Sequence, residues 1–201
     1  MPSTAAAGAE ACPSPPAATT PAALPDFETL YDDYVDFVWR NARRLGVLPE
    51  AIEDVVQDVF LVAHRRLADV VRPESLRAWV FSIVIRVVRD YRRTLRRKDP
   101  AQRLGANGVD PEQLADERRP SPQLCAERAD AVRLLHQLLA ELDDAKREVF
   151  VLAELEEMTE LEIAEVLGEN VNTVHSRLRA ARKAFEAAAQ RQRSHDEWRL
   201  R

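Results

Sequence analysis

The sequence predicts an all-α protein of two small helical domains joined by a linker, and three observations carry that expectation. Apolar residues recur at helical spacing in segment after segment, and no stretch alternates with the period of a strand over a useful length. In mid-chain, Pro100, Gly105, Gly108, Pro111, Pro120 and Pro122 interrupt the pattern, so residues 99–127 read as the linker. The first domain is then expected over 26–98 and the second over 128–188, with terminal segments at 1–25 and 189–201.

Residues 1–25 hold six Pro, no aromatic and one charge, Glu10, so they read as a disordered tail. Asp26 follows Pro25 as a helix N-cap, and Leu30, Tyr34, Phe37 and Val38 keep helical spacing until Gly46 offers a stop. Pro49 suits the first turn of a second helix. Its apolar face is Ile52, Val55, Val56, Val59, Phe60, Ala63 and Leu67, and its opposite face carries Asp54, Gln57, Asp58 and His64.

Beyond Arg72-Pro73, Leu76, Trp79, Val80, Ile83, Val84, Val87, Val88, Tyr91 and Leu95 form the longest periodic run in the chain. Arg77, Arg86, Arg89 and Arg93 recur down its other side, a stripe suited to tracking phosphates, with Phe81 and Ile85 as apolar groups beside it that could meet bases. Arg96, Arg97 and Lys98 near its end equally suit a solvated helix C-terminus. After the linker, Leu134, Leu135, Leu138, Leu139 and Leu142 mark one amphipathic helix, and Val149, Phe150, Leu152, Ala153 and Leu155 mark another.

Residues Thr159 to Phe185 fit a helix-turn-helix. Thr159 and Glu162 make a capping box, Leu161, Ile163, Ala164 and Leu167 an inner face, and Gly168 a left-handed turn. Val171 and Val174 are expected to anchor the second helix. In this motif the start of the second helix enters the major groove, here with Asn172, Thr173, His175, Ser176, Arg177 and Arg179, backed by Arg182 and Lys183. A charge run alone is also compatible with a solvated face; the combination of box, Ala, Gly and Val is what points to DNA.

Composition excludes several classes. The 201 residues carry 29 Lys+Arg against 34 Asp+Glu, a formal charge of -5. That acidity hides two basic blocks. Residues 77–98 hold eight basic residues against one acidic (net +7), and 172–201 hold eight against three (net +5). Between them, 141–169 holds eleven acidic against two basic (net -9). No window approaches the roughly 18 to 20 apolar residues of a membrane span, and no signal-like start is present, so a cytoplasmic protein without membrane insertion is expected. Cys12 and Cys125 lack disulfide or zinc spacing. The four His are scattered, no phosphate loop or nucleophile motif occurs, and Glu154, Glu156, Glu157 and Glu160 lack metal-site spacing, so no enzyme, cofactor or metal is expected.

Three stretches together resemble the sigma-70 family of bacterial RNA polymerase initiation factors, in its small extracytoplasmic function (ECF) group: EDVVQDVFL at 53–61, LRAWVFSIVIRVVRDYRR at 76–93, and the helix-turn-helix with its trailing SRLRAAR. The resemblance implies that residues 26–98 are sigma region 2 and 128–188 region 4. Asp54, Gln57 and Asp58 match the face that binds the polymerase β′ clamp helices, although as residues they also suit plain solvation. The loop from Val70 to Ser75, with Arg72, matches the pocket for a flipped minus-ten base, and Phe81, Arg86, Arg89 and Arg93 are placed near that strand. Asn172, Thr173, His175, Ser176, Arg177, Arg179, Arg182 and Lys183 would read the minus-thirty-five element, with region 4 touching the β flap. An anti-sigma factor is the further partner implied. Arg86 stands where the family commonly has Asn, and Asn172 and His175 also depart from it, so promoter preference does not transfer. The competing reading is a stand-alone helix-turn-helix regulator.

Overall fold

A computed structural model describes residues 24–70, 76–98 and 122–199. Among them are seven α-helices and no strand: α1 Phe27–Arg44, α2 Ile52–Arg66, α3 Leu76–Lys98, α4 Pro122–Ala140, α5 Asp144–Phe150, α6 Glu160–Leu167 and α7 Val171–Arg199. Short 3-10 turns at Pro49–Ala51 and Leu67–Asp69 flank α2, and a π-helical turn, Val151–Leu155, continues α5. Arg72, the rest of the loop to Ser75 and residues 99–121 lie outside the described residues.

Local chemistry explains the helix ends. The Asp26 carboxylate accepts from the Thr29 amide at 2.8 Å, which starts α1 and holds that carboxyl below its usual range. At the other end Gly46 takes φ 91°, and a Cβ there would run into the Arg147 guanidinium. Pro122 sits at the first position of α4, so 122–127, expected in the linker, are helical. Similarly, α7 runs through Arg199 where a tail was expected from 189, because the Ala, Gln and Arg of that stretch are strong helix formers.

In the N-terminal domain, α1, α2 and α3 bury Leu30, Val38, Val59, Phe60, Val80 and Val84 against one another. In the C-terminal domain, α5 and α6 pack on α7 through Val149, Phe150, Ile163, Val174 and Leu178. The two domains do not stand apart: α3 packs on α6 and α1 on α4, and one continuous apolar cluster runs through both. As a consequence the N-terminal half of α3 is buried on more than one side, while most of its residues from Arg89 onward are exposed. Phe81 and Ile85, expected beside the Arg stripe, are core residues at 1% and 2% exposure, and Phe81 meets Phe37 edge-on at 5.6 Å.

Candidate nucleic-acid interface

The helix-turn-helix is built by local signals. Thr159 Oγ1 accepts from the Glu162 amide at 3.3 Å while Glu162 Oε2 accepts from the Thr159 amide at 2.8 Å, completing the capping box. The Thr159 amide and the Thr159 hydroxyl, which donates at 2.7 Å, together hold the Glu162 carboxyl below its usual range. Gly168, at φ 67°, turns the chain into α7. Ile163, Ala164, Leu167 and Val174 are buried, as the motif requires. Leu161 and Val171 are exposed at 62% and 36%, contrary to the expected inner face and anchor. Leu161 lies about 140° around the helix from the line through Ile163 and Leu167, so it cannot share their face.

The start of α7 projects from the domain. Asn172, His175, Ser176, Arg179, Arg182 and Lys183 are exposed; Thr173 and Arg177 are partly so. Three of these side chains are held by carboxylates of their own domain: His175 Nδ1 lies 3.0 Å from Glu160, Arg177 donates to Glu169 at 2.9 Å, and Arg182 to Glu154 at 2.8 Å. Such exposed pairs exchange readily for phosphate or base contacts, since each is worth about 0 to 1 kcal/mol in water.

On α2, Asp54, Gln57 and Asp58 are all exposed. Asp54 and Gln57 border an open groove of about 850 Å³ between α1 and α2, floored by Tyr31, Val35, Trp39 and Leu61. A polar rim over an apolar floor is the composition of a protein-docking surface.

The Arg stripe of α3 is placed differently. Arg86 is exposed, and Arg93 pairs locally with Asp90 at 2.7 Å. Arg89, however, donates to Glu148 of α5 at 2.6 Å, and Arg92 reaches the same carboxylate at 3.0 Å. Arg77 and Arg44 converge likewise on Glu156, at 2.5 and 2.7 Å. Arg96 and Arg92 pair with Asp144. Arg147 closes the C-terminus of α4 by donating to the carbonyls of Leu139, Ala140 and Leu142 at 2.7, 3.1 and 3.0 Å, and reaches the carbonyl of Leu45, just past α1, at 3.4 Å. Hydrogen bonding to Glu148 raises the Arg89 pKa, whereas burial lowers those of Arg92 and Arg147.

Sequence reasoning missed this interdomain network. Its one visible signal was the juxtaposition of a strongly acidic block with a strongly basic one. The π turn supplies the rest: the Glu156 amide donates to the Val151 carbonyl five residues back, and the widened turn leaves Glu156 only 4% exposed at the domain boundary. Among the described residues no cluster of side chains could hold a metal, and no helix is long and apolar enough to cross a membrane.

A helix-turn-helix domain packed on a three-helix domain with a basic long helix defines a helical DNA-binding transcription factor. Residues 30–98 match the family Sigma-70 region 2, and residues 133–185 match Sigma-70, region 4. Over 153 residues the chain is 35% identical to the RNA polymerase sigma factor CnrH of Cupriavidus metallidurans, spanning 73% of this chain and 77% of that protein. It is 30% identical over 177 residues to the ECF RNA polymerase sigma factor SigL of Mycobacterium tuberculosis, spanning 87% and 93%. Among solved structures, CnrH in complex with the cytosolic domain of CnrY is similar with a TM-score of 0.55 at 27% identity, over 82% of this chain and 87% of that one. The sigma factor RpoE of Bartonella quintana, solved with the anti-sigma factor NepR, shares the fold with a TM-score of 0.65 at 18% identity, over 82% and 97%. The chain belongs to the sigma-70 family, in its ECF group, and is a factor for transcription initiation rather than a stand-alone regulator.

Proposed function

We propose that residues 26–98 and 128–188 act as the two working domains of this sigma factor, each with its own surface. The Asp54, Gln57 and Asp58 face of α2, with the groove beside it, docks on the β′ clamp helices of core polymerase. Arg86, Arg89 and Arg93 of α3, with Arg72 in the preceding loop, contact the minus-ten strand. On α7, Asn172, Thr173, His175, Ser176, Arg177 and Arg179 read the minus-thirty-five element, while Arg182 and Lys183 hold its phosphates. The C-terminal domain also meets the β flap. The action is non-catalytic and cytoplasmic: binding energy from two spaced contacts favours the melted promoter. An anti-sigma factor is the expected inhibitor, a reading supported by the complex of CnrH with the cytosolic domain of CnrY.

The observation that carries the docking assignment is the exposed polar row of α2 over an apolar groove. The test is co-elution of the full chain with bacterial core polymerase. Asp54→Ala combined with Gln57→Ala is expected to weaken that association by about tenfold or more while leaving the helical content intact. Undiminished co-elution of the double variant would remove α2 from the docking surface.

A further inference from the structure

A polar contact between the two helices of the helix-turn-helix joins a supporting residue to a groove-facing one. Glu160 opens α6, and its carboxylate oxygens lie 3.0 and 3.1 Å from His175 Nδ1 on α7. Among the described residues both hydrogen bonds of the His175 side chain run through Nδ1, and 66% of that side chain is exposed, so Nε2 is left to a ligand.

A carboxylate partner does not mean the same thing to every side chain at the start of α7. Arg177 and Arg182, held by Glu169 and Glu154, offer N–H donors whatever partner they keep. A neutral imidazole carries one proton on either ring nitrogen, and the partner of one nitrogen decides what the other offers. An ionised carboxylate only accepts, so at Nδ1 it requires the proton there. Nε2 is then a bare acceptor. In the major groove an acceptor meets the exocyclic amino group of adenine or cytosine and is repelled by the keto oxygen of guanine or thymine. His175 also has no need to give up Glu160 when it meets a base, because the two contacts use different nitrogens of the ring.

We infer that Glu160 is a positioning residue for promoter readout: by holding the proton on Nδ1 it fixes His175 as a hydrogen-bond acceptor, which selects an adenine or cytosine amino group at one position of the minus-thirty-five element. An acidic residue in the first turn of α6 also suits the helix dipole, but that role is blind to DNA sequence. The inference rests on the assignment of the start of α7 to the minus-thirty-five element.

The test uses the full chain bound to bacterial core polymerase and a promoter library randomised over that element, read at about pH 8, well above the ordinary imidazole range. His175→Ala identifies the base pair that the ring reads, as the position whose preference is lost. Glu160→Ala is expected to lose preference at that same position and at no other, by about threefold or more, and to add nothing in the His175→Ala background. In the best promoter, the amino-bearing base of that pair is then replaced by its analogue without the exocyclic amino group, purine for adenine or pyrimidinone for cytosine. This replacement should weaken binding by the unaltered protein about threefold or more and leave both variants unaffected. Equal weakening of all sequences by Glu160→Ala would overturn the inference. So would indifference of the unaltered protein to loss of the amino group, or an equal loss in the variants. If Arg177→Ala shifts the minus-thirty-five preference while His175→Ala or Glu160→Ala does not, the assignment of α7 stands and the inference falls. Failure of the assignment has a different signature: Arg177→Ala and His175→Ala would both leave every minus-thirty-five preference unchanged.

Discussion

Helices α3 and α7 carry similar rows of arginines, yet the structure uses them in opposite ways. On α7, Arg177 and Arg182 pair with carboxylates of their own domain that are about one-third exposed. On α3, Arg89 and Arg92 pair with a glutamate of the other domain that is almost wholly buried. An ion pair whose members stay wet is nearly neutral in energy. One member buried without its partner is a severe penalty, even though the intact pair contributes little by itself. The accessibility of the carboxylate therefore decides whether an arginine is open to a ligand as the molecule stands or must first give up a partner in the other domain.

The largest effect that can break this contrast is expected at Arg92. Its guanidinium holds Glu148 at 3.0 Å, lies 3.5 Å from Asp144 and donates to the Leu45 carbonyl, with 8% of the residue exposed. Arg92→Ala should leave Glu148 with Arg89 alone and destabilise the protein by about 3 to 5 kcal/mol. Urea unfolding measures this directly. A loss under about 1 kcal/mol would mean that the buried pair is no more costly to break than an exposed one.

The next effect is acid sensitivity at the same boundary. His136, partly buried on α4, is pushed down from 6.5 to about 4, first by burial and then by the Arg43, Arg44 and Arg147 charges around it. Across that window the unfolded chain binds the proton and the folded chain resists it, so protons favour unfolding. Stability is full above pH 6.5 and falls as pH drops toward about 4, by about 2 kcal/mol after allowance for partial solvent access. His136→Gln should flatten this part of the pH profile. An identical slope in the variant would show that His136 titrates normally.

How much of this was legible in the sequence follows from the range of each signal. Asp26 as a cap, the Thr159 and Glu162 box, and Gly168 as a turn are decided within four residues, and all three hold in the structure. The exposed row on α2 follows from simple helical phase. Leu161 falls outside the inner face by the same phase, whereas Val171 shares the side of buried Val174 and is exposed as the first residue of α7. The arginine commitments on α3 depend on partners 59 and 79 residues away in sequence, Glu148 for Arg89 and Glu156 for Arg77. No local pattern encodes those pairings. The π turn at Val151–Leu155, which sets Glu156 at the boundary, also has no Pro, Gly or cap to announce it. Periodicity marked Phe81 and Ile85 as apolar but could not show that α3 is buried on more than one side.

The smallest effect sharpens the contrast from the other end. Arg182 donates to Glu154 with both side chains accessible, 58% and 35% exposed. Its removal should therefore cost the fold about 0.5 kcal/mol or less. The same accessibility makes it available to phosphate, so Arg182→Ala should lower the salt dependence of duplex binding by about one unit of slope, evenly across sequences. Salt titrations of duplex binding by the full chain, with the variant beside it, check both parts. A stability loss comparable to that of Arg92→Ala would show that carboxylate accessibility does not govern which arginines are free. An unchanged slope would place Arg182 outside the phosphate contacts and confine DNA binding by α7 to the residues nearer its start.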